Sequence, residues 1–131
     1  MSKVLIVGGG HAGANTAFAL RKDGFDGEIT IISDEGYLPY HRPPLSKDFL
    51  KQNLAIEKLS FKSANFYEEQ NISINLNTQI DSIDLEFNHA TTKDVSFNFD
   101  YLVFATGASP RLLPMENSDA KNLFYLRQIT D

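Results

Sequence analysis

Apolar residues fall in short runs, and the spacing within the runs changes along the chain. Lys3–Val7 is aliphatic with almost no polar alternation, the pattern of a strand covered on both faces. From His11 to about Lys22, the small or apolar Ala12, Ala14, Ala17, Phe18 and Leu20 suit a helix packed closely on a sheet. Arg21 and Lys22 complement the negative end of that helix, and Gly24 is placed to cap it. Glu28 to Ser33 reads as a second strand, completing a β-α-β unit with a right-handed crossover.

Gly36 to Pro44 holds three prolines and a glycine, which makes it a loop. Ser46 is positioned to cap a short helix running to about Gln52. A longer helix is predicted from Ser63 to Gln70, with Phe66 and Tyr67 facing inward and Phe61 in the core. Ile72, Ile74 and Leu76 alternate with polar residues and predict a strand. Strand signal resumes from Ile80 to Phe87, with Asp81, Asp84 and Glu86 on its wet face, and again at Val95, Phe97 and Phe99. A turn near Lys93-Asp94 would make these an antiparallel hairpin. Tyr101 to Ala105 is the last strong strand, and Leu123 to Leu126 predicts a short one.

With 131 residues, the chain has one domain's length. Its net charge of −5 argues against nonspecific nucleic-acid binding and against anionic membrane surfaces, both of which require basic patches. No apolar run approaches a membrane span, and the N-terminal one is too short for a signal peptide. Cysteine is absent, which removes thiolate metal sites and thiol nucleophiles; it fits a cytoplasmic protein without requiring one. His11, His41 and His89 share no ligand spacing, so no metal site is expected. Gly107-Ala108-Ser109-Pro110 lacks the GxSxG spacing of a nucleophile elbow.

The chemistry lies in two glycine motifs. Gly8-Gly9-Gly10-His11-Ala12-Gly13 joins the first strand to the first helix. There Gly8 permits the tight turn, Gly10 lets backbone approach a pyrophosphate, and Gly13 lets the helix lie close to the strand. The anion would sit on free N–H groups at the positive end of the helix dipole. Asp34-Glu35 follows about twenty residues later, where a carboxylate accepts hydrogen bonds from a ribose diol and disfavours a 2′-phosphate. The second motif, Ala105-Thr106-Gly107, ends the last strand in small residues that allow a flat ligand close to backbone. A glycine motif of this kind does not separate FAD from NAD, since both carry an ADP half.

The segment GYLPYHRPPLSK (Gly36–Lys47) resembles a signature of FAD-dependent ferredoxin and rubredoxin reductases, members of the pyridine nucleotide-disulfide oxidoreductase superfamily; apoptosis-inducing-factor-like flavoproteins share it. The resemblance extends over the whole chain through Gly8, Asp34-Glu35, FDYLVFATG (Phe99–Gly107), Pro110-Arg111 and Tyr125-Leu126-Arg127. It implies an α/β, Rossmann-like FAD/NAD(P)-binding domain with a parallel sheet and an inserted antiparallel β-hairpin. Residues 1–131 would be the N-terminal portion of that domain. By the same resemblance Gly8, Gly10, His11, Ala12 and Gly13 wrap the FAD pyrophosphate, and Asp34 binds the adenosine ribose with Glu35 as the fallback. Arg42, Pro43 and Lys47 approach the cofactor from the proline-rich loop, with Lys47 a candidate for tuning the flavin rather than a catalytic residue. Ile80 meets the adenine through backbone, while Ala105, Thr106, Gly107, Arg111 and Arg127 close the site.

His41 stands where the family often has aspartate, and Lys93-Asp94 where it often has Asp-Gly. Family members are several times longer, with an NAD-binding domain, a second FAD segment and a C-terminal interface domain that these residues do not include. The implied activity is electron transfer from NADH or NADPH through FAD to a small iron–sulfur or rubredoxin-type acceptor. Lack of cysteine after the second strand argues against disulfide- or peroxide-reducing relatives. Two alternatives stay open: a non-catalytic FAD- or ADP-binding chain, and an NAD-dependent dehydrogenase. The segment alone is expected to show negligible NADH-dependent reductase activity, weak flavin retention and an exposed apolar sheet edge or surface prone to aggregation.

Overall fold

β1 (Lys3–Val7) runs through the middle of a parallel sheet and is covered on both faces, as its unbroken aliphatic run predicts. The computed structural model describes residues 1–116 and 120–131. It divides into two units, Met1–Tyr40 with Phe61–Gly107, and His41–Ser60 with Ala108–Asp131.

In the first unit, β1 pairs in parallel with β2 (Glu28–Ile32) on one side and with β7 (Tyr101–Phe104) on the other. β3 (Ile72–Asn75) extends the sheet beyond β2, giving the order β3-β2-β1-β7. Alternation along the strands sends Val4, Ile6, Ile29 and Ile31 to one face, where they pack with Ala17 of α1 (His11–Lys22) and Tyr67 of α2 (Ala64–Glu69). Leu5 and Ile32 point the other way, against Ala90 and Phe99. That second layer is an antiparallel sheet of β4 (Ser82–Asp84), β5 (His89–Thr91) and β6 (Ser96–Asn98).

The antiparallel element therefore has one strand more than the predicted hairpin. Its Lys93-Asp94 turn is where the sequence places it, tied by the Thr92 hydroxyl to the N–H of Val95 (2.9 Å). A further turn at 85–88 interrupts the Ile80–Phe87 run. The Asp84 carboxylate, read from sequence as part of a wet strand face, instead accepts the N–H groups of Glu86 and Phe87, and Asn88 takes a φ of 52°. Leu85 and Phe87 keep the spacing of strand residues but lie exposed on that turn.

α1 ends as predicted. Gly24 adopts a φ of +87°, its N–H donates to Arg21 O, and the Phe25 N–H donates to Leu20 O, a Schellman closure. Arg21 does more than complement the dipole: its guanidinium donates to the carbonyls of Phe25, Gly27, Gln70 and Asn71. It thereby binds the end of α1 to the loops before β2 and β3. α2 begins at Ser63, whose hydroxyl accepts the Phe66 N–H. The Tyr67 hydroxyl is buried in the core with no hydrogen-bond partner among the described residues, and burial pushes it up to about 12.

In the second unit the predicted Ser46–Gln52 helix is absent. Pro43–Ser46 forms a 3-10 turn instead, and Lys47 leaves the helical region at φ −129°, ψ −112°. The backbone bonds that follow (Phe49 to Pro44, Lys51 to Lys47, Gln52 to Phe49) differ in span and never settle into a helical ladder. A second 3-10 turn spans Ile56–Lys58. Leu123 to Leu126 is not a strand; its side chains alternate in exposure, but its backbone joins no ladder among the described residues.

Candidate functional site

The glycine turn is built by the close approach of three backbone segments. Gly8 leaves β1 at φ +121°, its N–H donating to Ile32 O at 2.8 Å. A Cβ there would overlap the carbonyl of Ala105, and a Cβ at Gly13 would overlap the carbonyl of Gly8. Gly8 and Gly13 are thus required by the protein's own packing. Gly10 is different: among the described residues nothing lies within 4 Å of where its Cβ would point. The space beside Gly10 is open, as it must be if a ligand is to reach the backbone.

Gly10 is also the N-cap of α1, with no side chain capping it and no acidic residue in the first turn. The first intrahelical bond runs from Ala14 N–H to Gly10 O, which leaves the Ala12 and Gly13 N–H groups without an intrahelical acceptor. With the dipole's positive end, they form a place for an anion. The His11 ring turns aside, edge-on to Phe61 at 4.5 Å, so only its backbone belongs to the turn.

Beside the turn lies a cavity of about 230 Å³ lined by Gly8, Asp34, Thr78, Gln79, Ile80 and Thr106, with Val7 and Ile32 at its base. That is below the roughly 300–1,000 Å³ of a site enclosing a whole drug-sized molecule, and suits one end of a dinucleotide. Asp34 is exposed and its carboxylate accepts no hydrogen bond among the described residues. Glu35 accepts the Tyr40 hydroxyl at 2.5 Å and is no part of the cavity lining. Ala105 is tied to β1 by its N–H to Val7 O, and Gly107 turns the chain at φ +69°.

The structure thus gathers Gly8, Asp34, Ile80 and Thr106 around one cavity, with Gly10, His11, Ala12, Gly13, Ala105 and Gly107 in the adjoining turns of the same unit. Arg42, Pro43, Lys47, Arg111 and Arg127 belong to the second unit. There Arg42 donates to Arg127 O at 2.8 Å, Lys47 donates to Pro43 O at 3.2 Å, and Arg111 is exposed. Sequence reasoning missed Gly9, where a Cβ would lie 2.6 Å from Ser33 Oγ; the unbroken GGG was its only trace. It also missed Thr78 and Gln79, which no local pattern distinguishes. Among the described residues no group of three or more His, Asp or Glu could hold a metal ion. No helix among them is long and apolar enough to cross a membrane.

Residues 2–131 match the model of the family described as pyridine nucleotide-disulphide oxidoreductase. The chain belongs to that family. It is 45% identical over 129 residues to a rubredoxin-NAD(+) reductase of Pseudomonas putida, covering 98% of this chain and 34% of that one. It is 41% identical over 132 residues to the ferredoxin–NAD(+) reductase component of a p-cumate 2,3-dioxygenase system, also from Pseudomonas putida, covering all of this chain and 33% of that one. The crystal structure of a covalent putidaredoxin reductase–putidaredoxin complex superposes with a TM-score of 0.91 at 36% identity, over 99% of this chain and 32% of that one. The chain therefore spans about a third of the length of the curated relatives it matches.

Proposed function

We propose that these residues form the FAD-binding segment of an NAD(P)H-dependent reductase that passes electrons to a small iron–sulfur or rubredoxin-type protein. The observation that carries this reading is the open face of the glycine turn. Among the described residues, the Cβ direction of Gly10 is open, N–H groups without an intrahelical acceptor stand at the helix start, and the Asp34 carboxylate across the adjoining cavity accepts no hydrogen bond. The Ala12 and Gly13 N–H groups would hold the pyrophosphate, the Asp34 carboxylate the adenosine ribose, and the apolar wall at Ile80 the adenine. Bound FAD would supply acceptance of a hydride as two electrons and their release one at a time.

The residues of the second unit act through charge. Lys47 is exposed, its ammonium donating to the Pro43 carbonyl, and a cation of this kind favours electron uptake by a neighbouring cofactor. Arg42 and Arg127, joined by a hydrogen bond, supply further positive charge to the segments the family motif associates with the cofactor. The acceptor class rests on the rubredoxin and ferredoxin reductases named above. We place the enzyme in the cytoplasm, where the nicotinamide pool is available.

Reconstitution tests the proposal. The chain should take up FAD in a stoichiometric titration but lose it on gel filtration, and should not oxidise NADH with a dye acceptor. Failure to bind either FAD or ADP would overturn the proposal. Clear NADH-driven turnover, abolished by Lys47→Ala or Gly10→Ala, would show that the segment alone is catalytic.

A further inference from the structure

We propose that Tyr40 is a positioning residue of the dinucleotide site: its hydroxyl holds the Glu35 carboxylate away from the cavity and leaves Asp34 as the one presented to the ribose. This rests on the dinucleotide reading above and deepens it.

Two adjacent carboxylates follow β2, and either could reach a ribose diol by sequence position alone. Tertiary packing separates them. The loop is stitched to residues 75–78, with Ser33 N–H donating to Asn75 O, Thr78 N–H to Ser33 O, and Asn77 N–H to Glu35 O. Glu35 N–H donates to Ser33 Oγ, and the space beside Gly36 is filled by the Asn77 amide. The backbone on both sides of Asp34 is therefore fixed, and the side chain of Asp34 faces the cavity shared with Gly8 and Thr106.

Glu35 is half-buried, and a carboxylate in that setting needs a donor. Tyr40 supplies one from a ring that is itself 4% exposed, next to the fully buried Pro39. The donor is rigid, because a packed tyrosine cannot follow the carboxylate if it moves. Loss of the hydroxyl removes this restraint on Glu35, and a Glu35 carboxylate turned outward would stand beside Asp34 and repel it. The pair would then compete for the ribose and bind it less well.

The test measures binding of ADP, 2′-deoxy-ADP and inorganic pyrophosphate to the chain by calorimetry. The wild-type chain should prefer ADP over 2′-deoxy-ADP by about tenfold, the worth of one hydrogen bond to a charged group. Tyr40→Phe should shrink that preference to about threefold or less while leaving pyrophosphate affinity unchanged. Glu35→Gln should keep it, since an amide oxygen still accepts from Tyr40, and Asp34→Ala should abolish it. If Tyr40→Phe does not fold, Glu35→Asp breaks the same contact from the other side while keeping the charge, and should shrink the preference in the same way; an unchanged preference there overturns the proposal equally. An unchanged preference in Tyr40→Phe overturns the proposal, as does an equal loss for all three ligands, which marks a merely structural role. Loss in Glu35→Gln with retention in Asp34→Ala overturns it too, because Glu35 would then be the ribose ligand. A wild-type chain that binds neither ADP nor pyrophosphate defeats the dinucleotide reading itself, and this proposal with it.

Discussion

Gly8 and Gly10 of one motif are held in place by different physics, and their substitutions should separate accordingly. Gly8→Ala places a methyl against the Ala105 carbonyl at a φ that L residues rarely adopt. It should cost on the order of 3–5 kcal/mol, seen as a lowered urea midpoint or as failure to fold. Gly10→Ala meets no protein atom, so it should cost only about 0.5–1 kcal/mol as a poorer N-cap. It should nevertheless weaken ADP binding by about tenfold or more by closing the approach to the backbone. Tyr67 offers a second residue-scale test. Its folded-state value of about 12 lies above the ordinary 10.0, so the fold favours the neutral phenol. That contribution is complete below about pH 10 and is lost as pH rises from 10 towards 12. Tyr67→Phe should flatten this alkaline loss in urea melts, and should raise stability at pH 7 by about 1 kcal/mol because the hydroxyl has no partner.

At the scale of elements, β1, α1 and β2 were legible because each carries its own periodicity and its own stop signal within a few residues. The elements that failed share the opposite property. The turn at 85–88 lies within an apparently continuous strand pattern, and its cause is one carboxylate accepting two backbone N–H groups. The Ser46–Gln52 helix has a plausible cap residue, but the double proline before it sets a 3-10 turn. Arg21 shows how far an element's end depends on distant chain: two of its four carbonyl partners lie nearly fifty residues away. Arg21→Lys keeps the charge but not the planar fork. It should lower the unfolding free energy by about 2 kcal/mol and speed amide hydrogen exchange at residues 25–27 and 70–71.

At the scale of the first unit, the layers place the sheet between two helices and a second sheet, and leave β7 at an edge. Tyr101 and Phe104 on that strand are 59% and 64% exposed, the apolar edge that the sequence anticipates. An open edge carrying aromatic side chains invites pairing between copies. The chain should therefore self-associate with rising concentration, and Phe104→Lys should suppress this in sedimentation velocity runs while leaving ADP affinity unchanged. The local grammar was legible in the order of residues: a buried strand, the glycine turn and helix after it, a carboxylate pair and a family signature. Each of these is set by residues close together in the chain. Tertiary structure alone decided which carboxylate faces the cavity, that Thr78 and Gln79 line it, that the His11 ring leaves the turn for Phe61, and that the antiparallel layer has three strands. Those outcomes depend on contacts between segments tens of residues apart, whose geometry no local spacing records.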